Sequence, residues 1–185
     1  MRRREFLLSM AVLPLSLQTL LGGTRAHAET PTPDSVDRMR KEWKALLAKN
    51  ADIALETTPL ARRNDVWQSL LTAPQYQVLR EEGTERPFTS PLNNEKRAGV
   101  FVCAGCSLPL FTSRMKFESG TGWPSFFTNI PDHLAIKKDF KMIVERDEYH
   151  CVRCGGHQGH VFDDGPAPTR QRWCNNGVAL RFIPA

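Results

Sequence analysis

The sequence predicts a β-rich core, stapled by a metal, with its helices confined to the N-terminal side. Three observations carry that expectation. Two C-x-x-C pairs, Cys103/Cys106 and Cys151/Cys154, stand 44 residues apart, the arithmetic of a tetrahedral four-thiolate zinc site. Helix signals fade after Gly83, and short β-branched and aromatic runs follow, separated by dense Gly and Pro. The fifth cysteine, Cys174, is unpaired and lies close in sequence to His157, His160 and Asn176, the surroundings of a candidate nucleophile.

Residues 1–28 read as an export signal outside the fold. Arg2-Arg3-Arg4 begins it, an apolar run from Phe6 to Leu21 is broken by Pro14, Gln18 and Thr19, and Ala26-His27-Ala28 is a small-x-small cleavage site. Adjacent arginines before Glu5-Phe6-Leu7 resemble a twin-arginine signal. The run falls short of the ~20 apolar residues of a spanning helix, so no stable membrane insertion is expected after cleavage, and the expected compartment is the periplasm. Cleavage after Ala28 lowers the basic count from 25 to 21 and the acidic count from 20 to 19, leaving about +2. Nucleic-acid binding therefore has no compositional support. Export also opens an alternative for the paired cysteines, since an oxidising compartment favours disulfides. The twin-arginine route carries proteins folded in the cytosol, where thiols are reduced and zinc can load first. Zinc is the favoured reading, and two C-x-x-C disulfides are the other.

Residues 29–63 read as a linker and an amphipathic helical extension. Asp34 can cap a helix to about Lys49, with Val36, Met39, Trp43 and Leu46-Leu47 on one face. Residues 50–63 are a connector. The core domain spans 64–185. Thr72 with Gln75 forms a capping box, with Pro74 in the first turn, for a helix running to about Glu82 and stopping at Gly83. Val100–Val102, Lys141–Arg146, Tyr149-His150, Val161-Phe162 and Val178–Phe182 read as strands.

Four thiolates close a zinc tetrahedron and leave no position for substrate, so such a metal is structural. One Zn2+ per chain is the expected cofactor, held by Cys103, Cys106, Cys151 and Cys154. Chemistry is then left to Cys174. Imidazoles such as His157 and His160 can tune a thiol or relay protons, and Asn176 can bind water or a polar substrate atom. The segment from Phe117 to Phe127 brings Trp123, Phe126 and Phe127 together around Gly120, Gly122 and Pro124. It is either ordinary core packing or the aromatic wall of a pocket for a small apolar group.

These motifs together resemble the methionine sulfoxide reductase B family. The resemblance runs in order through Leu79–Phe88, Cys103–Cys106, Gly120–Phe126, Gly159–Pro166, Arg172–Asn176 and Leu180–Phe182, covering about 64–185. It implies two antiparallel β-sheets with a few helices outside and zinc away from the active site. It implies reduction of the R epimer of methionine sulfoxide in proteins, with the free amino acid left open as a second substrate, through a Cys174 sulfenic acid. By the same resemblance His160, Asn176 and His157 are the polar active-site residues, and Trp123 is the wall for the substrate methyl. Phe126 and Arg172 are the further candidates for substrate contact. Oxidised methionine residues in proteins and a thioredoxin-like reductant are the implied partners. Two positions depart from the family pattern. Thr121 stands where many members carry a resolving cysteine, and Trp173 stands where tyrosine is usual. Two other classes compete: a thiol–disulfide oxidoreductase using its C-x-x-C pairs, and a non-catalytic zinc-ribbon binding module.

Overall fold

The computed structural model describes residues 30–139 and 146–185. The expected export signal, and all of the strand expected over 141–146 except Arg146, which opens a strand, lie outside the described residues. No described helix is long and apolar enough to cross a membrane.

The N-terminal arm opens with α1 (Pro33–Lys41), capped by Thr32 and not by Asp34. Thr32 Oγ1 accepts from the Ser35 N–H at 3.2 Å, and Pro33 occupies the first turn, where a missing N–H costs nothing. The single helix expected to run to Lys49 stops at Lys41, and a 3-10 turn over Trp43–Leu46 follows. Tertiary packing decides this break. The turn buries Trp43 and Leu46 and sets the Trp43 ring edge-on to His133 at 5.7 Å. Residues 50–63 carry no helix or strand, yet they are not loose. Ala54 N–H donates to the Ser107 carbonyl at 2.9 Å, and Leu60 N–H donates to that of Arg153. The connector is thus a strap fastened to both cysteine segments.

Two helices lead into the core, α2 (Asn64–Leu70) and α3 (Ala73–Glu81). The Thr72/Gln75 capping box forms in full. At the other end of α3 it is Glu82, at φ 54°, that takes the left-handed position. Gly83, expected as the stop, instead donates its N–H to the Gln77 carbonyl at 2.9 Å.

The strands are β1 (Gly99–Cys103), β2 (Pro109–Thr112), β3 (Lys116–Phe117), β4 (Ser125–Phe126), β5 (Leu134–Asp139), β6 (Arg146–Cys151), β7 (His157–Phe162), β8 (Arg172–Asn175) and β9 (Leu180–Pro184). They form two antiparallel sheets, β2-β1-β9 and β3-β4-β8-β7-β6-β5. The fold is mainly β, as the sequence predicts. The last strand starts two residues later than its apolar run, because Gly177–Ala179 forms a 3-10 turn.

The core lies between the sheets and is built of rings. Phe126 stacks on Phe111 with centroids 4.0 Å apart, and Phe101 meets it edge-on at 5.0 Å. Tyr149 packs edge-on to Phe111 and to Trp173, at 6.3 and 4.9 Å. Alternation along β8 then has a direct consequence. Trp173 points into the core, so Cys174 points to the other face of the larger sheet, where it is half-buried.

Candidate active site

Each cysteine pair closes the end of a strand, Cys103/Cys106 after β1 and Cys151/Cys154 after β6. The two knuckles repeat one turn. In each, the residue four places after the first cysteine is left-handed (Ser107 at φ 61°, Gly155 at φ 66°) and donates its N–H to that cysteine's carbonyl at 2.8 Å. The pairs interlock: Cys103 Sγ lies 3.6 Å from Cys154 Sγ, and Cys106 Sγ lies 3.5 Å from Cys151 Sγ. All four sulfurs fall within 4.8 Å of one another and are buried. A tetrahedral ion with 2.3 Å bonds to sulfur needs sulfur–sulfur edges of about 3.8 Å, so the residues fit a metal. The thiols also perturb each other, their mutual hydrogen bonds pushing Cys103 up and Cys106 down, a conflict that a shared dication removes. Neither pair stands at a helix N-terminus, and the short contacts run between the pairs. This arrangement favours one shared metal site over the thiol–disulfide oxidoreductase reading of the C-x-x-C motifs.

Cys174 sits mid-strand on β8 between two ladder partners, Ser125 on β4 and His160 on β7. Burial pushes its thiol up, while Arg172 and the hydroxyls of Thr121 and Ser125 pull it down through charge and hydrogen bonds. The net direction is upward, so the resting group is a thiol. The hydroxyls form their own chain: Ser119 Oγ lies 2.9 Å from Thr121 Oγ1 and 2.7 Å from Ser125 Oγ. Arg172 is aimed by a bidentate pair with Asp164, at 2.7 and 2.9 Å. Its guanidinium lies 4.3 Å over the Phe162 ring.

Residues at i and i+3 on a regular strand face opposite sides of a sheet. His157 and His160 nevertheless lie with ring centroids 5.5 Å apart. A bulge in β7 is the cause: the register passes from Tyr149↔Gly159 to His150↔His157 and skips Gln158. Both imidazoles therefore reach the Cys174 face. His160 pairs directly with Cys174. His157 lies behind it at 1% exposure, with Nδ1 3.7 Å from Glu148 Oε2. Burial lowers its pKa to about 4, and Glu148 opposes that shift.

A small cavity of about 110 Å³ opens at the thiol, lined by Trp123, His160, Cys174, Asn176, Phe162, Thr84 and Arg146 among others. A larger cleft of about 400 Å³ beside α1 is lined by neither cysteine nor histidine. Trp123 lines this cavity, its indole N–H donating to the Glu85 carbonyl at 3.2 Å. Phe126 is not. The next-residue alternation of β4 turns it into the core, fully buried, and it cannot touch a substrate. Asn176 reaches the cavity, but its side chain is engaged with backbone. Its Oδ1 accepts from Glu85 N–H at 3.0 Å, and its Nδ2 donates to the Gln158 carbonyl at 2.9 Å. It holds the loop and the bulge in place.

Sequence reasoning missed three contributors. Phe162, Ser125 and Glu85 each sit inside a motif but had no assigned task. Glu85 accepts from the N–H groups of Gly177 and Val178, closing the turn after β8 and so fixing where Asn176 stands. A lone acidic residue followed by Arg-Pro carries no signal of that tertiary role.

Four buried cysteines positioned to bind one metal ion, with a separate half-buried thiol facing a histidine on the outer sheet face, define a β-protein with a cysteine knuckle cluster and a thiol-based site. The SelR domain model matches residues 71–184. The chain is 51% identical over 122 residues to the peptide methionine sulfoxide reductase MsrB of Methanosarcina barkeri, covering 65% of this chain and 86% of that protein. It is 51% identical over 119 residues to the MsrB of Pseudomonas putida W619, covering 64% and 90%. It is 38% identical over 170 residues to the chloroplastic peptide methionine sulfoxide reductase B1 of Arabidopsis thaliana, covering 91% and 77%. A solved Mis18 Yippee-like domain overlays 48% of this chain at 16% identity and a TM-score of 0.38, too slight a likeness to bear on the fold. The chain belongs to the SelR-domain, methionine sulfoxide reductase B family.

Proposed function

We propose that this chain reduces the R epimer of methionine sulfoxide in proteins, with Cys174 as nucleophile. The observation that carries the reading is the cross-strand pairing of Cys174 with His160 in a small cavity walled by Trp123.

Cys174 sulfur attacks the sulfoxide sulfur, and the oxygen passes to the cysteine. Its thiol proton and the oxygen end together as a sulfenic acid, and the thioether methionine is released, so one thiol and one sulfoxide give one sulfenic acid and one thioether. The oxygen gains basicity as the S–O bond weakens. His160 would hold a proton there, with the buried His157 ring packed edge-on against it at 5.5 Å. Arg172 and the Thr121 and Ser125 hydroxyls favour the developing thiolate. The Trp123 face holds the S-methyl group and fixes the angle of attack.

The four knuckle cysteines would hold zinc, which supplies structural cross-linking and takes no part in the chemistry. With those thiols engaged and threonine at position 121, recycling falls to an external thiol of thioredoxin-like type. That thiol condenses with the sulfenic acid to a mixed disulfide and water, and a second thiol releases Cys174. The paired arginines, the apolar run and Ala26-His27-Ala28 support export by the twin-arginine route to the periplasm, leaving 64–185 as the catalytic domain. A zinc-ribbon binding module would leave Cys174, His160 and Trp123 without a role.

The test is a reductase assay on the separated R and S epimers with a dithiol as reductant. Turnover of the R epimer alone is expected, abolished in Cys174→Ser with fold and metal content intact. Retained turnover in folded Cys174→Ser would overturn the mechanism.

A further inference from the structure

We infer a second metal site in this chain, formed by Glu148, His150 and His157 across β6 and β7, that takes a first-row dication of the zinc type through one carboxylate and two imidazoles.

The ladder brings these groups together without any loop. His150 and His157 are register partners, Glu148 lies two residues before His150 on the same face of β6, and the β7 bulge turns His157 toward both. Their ligand atoms all lie within 4.8 Å of one another. His150 Nε2 is 2.5 Å from Glu148 Oε1, and His157 Nδ1 is 3.7 Å from Glu148 Oε2. An ion with bonds of about 2.1 Å to nitrogen and oxygen needs nitrogen–oxygen edges of about 3.0–3.4 Å. The first contact would open and the second close, each by less than about 1 Å.

The second observation is an orphan. His157 is 1% exposed, and neither of its ring nitrogens has a hydrogen-bond partner among the described residues. Buried polar atoms are nearly always satisfied, and an unsatisfied one in a native fold calls for a cause. A neutral imidazole carries a lone pair that a cation can take, and the buried Glu148 carboxylate beside it supplies the charge. His150, whose side chain is 14% exposed, gives the ion a way in. The competing cation is Lys137, with Nζ 3.7 Å from Glu148 Oε1 and its side chain 63% exposed. The same Nζ lies 3.5 Å from Glu82 Oε1, so on leaving Glu148 this exposed lysine keeps a carboxylate partner, and surface pairs of this kind hold weakly. Two imidazoles and a carboxylate select zinc, cobalt, nickel or copper over magnesium or calcium. The site shares no ligand with the four cysteines.

The test uses the full chain carrying Cys174→Ser, to remove the free thiol, loaded with one zinc at the cysteines and titrated with Co2+. The expected result is one equivalent of bound cobalt showing d–d absorption without sulfur-to-cobalt charge transfer, the zinc remaining in place. His150→Ala, at a partly exposed position, should lose that equivalent while keeping its zinc. Glu148→Gln should lose it too. Failure to bind cobalt up to millimolar concentration, cobalt bound only by displacing zinc, or an equivalent that survives His150→Ala would overturn the proposal.

Discussion

Gln158 Nε2 donates to Cys103 Sγ at 3.3 Å, so the bulged residue between the two site histidines reaches the four-cysteine cluster. Its carbonyl meanwhile accepts from both N–H groups of Asn176, backbone and side chain, at 2.8 and 2.9 Å. The cysteine cluster and the thiol cavity are therefore joined through one residue. Removing the metal, or making Cys103→Ser, should lower the melting temperature sharply, because structural metal binding is itself folding free energy. Turnover should fall in step with metal content. Metal analysis alongside calorimetry checks this, and a metal-free chain with native stability would refute it.

Phe126 and Trp123 separate packing from substrate contact. Phe126→Ala removes a fully buried ring stacked at 4.0 Å on Phe111 and should cost about 3–5 kcal/mol. Trp123→Ala should leave the denaturation midpoint nearly unchanged and raise KM. Chemical denaturation with steady-state kinetics distinguishes the two. Equal stability losses would remove Trp123 from the pocket wall.

Arg172 holds the Cys174 pKa down against burial. Arg172→Met should raise the thiol pKa further and slow alkylation at neutral pH. In the unsubstituted chain, alkylation should climb steeply as pH passes above 9.0, the ordinary thiol value. Iodoacetamide rates against pH measure both, and an unchanged profile in Arg172→Met would exclude the contact.

His157 makes stability depend on pH. Its pKa falls from 6.5 to about 4 on folding, so between those values the unfolded chain binds the extra proton. Its stabilising contribution is complete above 6.5 and is lost as pH falls toward 4, in all about 3 kcal/mol. Denaturation midpoints should therefore drop more steeply between pH 7 and 5 in the natural chain than in His157→Asn. Parallel curves would show that the ring titrates normally.

Recycling turns on position 121. One equivalent of substrate should leave a Cys174 sulfenic acid that a dimedone-type probe traps throughout the population. The Thr121 hydroxyl is near enough to Cys174 to pull its thiol pKa down, so Thr121→Cys should divert the oxidised enzyme to an intramolecular disulfide. Mass spectrometry after one turnover reads either product. A disulfide to Cys174 in the natural chain would contradict the assignment of the other cysteines to metal.

The chemistry of this protein was legible where it depends on residue type and local spacing. Four cysteines in two C-x-x-C pairs announce the metal knuckles, a solitary thiol near two imidazoles announces the nucleophile, and Thr72-x-x-Gln75 announces the start of α3. Each of these is marked by residue type at close spacing, and short-range order is what a sequence carries. Helix ends were less legible. Thr32 caps α1 in place of Asp34, and Glu82 takes the left-handed turn in place of Gly83, because the chain's course beyond each helix chooses between adjacent candidates.

Facing was settled only in three dimensions. Nothing in Ser125-Phe126-Phe127 says that Phe126 turns inward, since a strand's two faces are equivalent until a partner sheet covers one. His157 and His160, three residues apart, belong on opposite sides of an unbroken strand. The bulge at Gln158 unites them, and it exists because β6 and β8 fix the register on either side of β7. The residues and their chemistry were determined by the sequence. Which of them meet was decided by cross-strand pairing between segments far apart in the chain, because register and facing are properties of the assembled sheet and of no single strand.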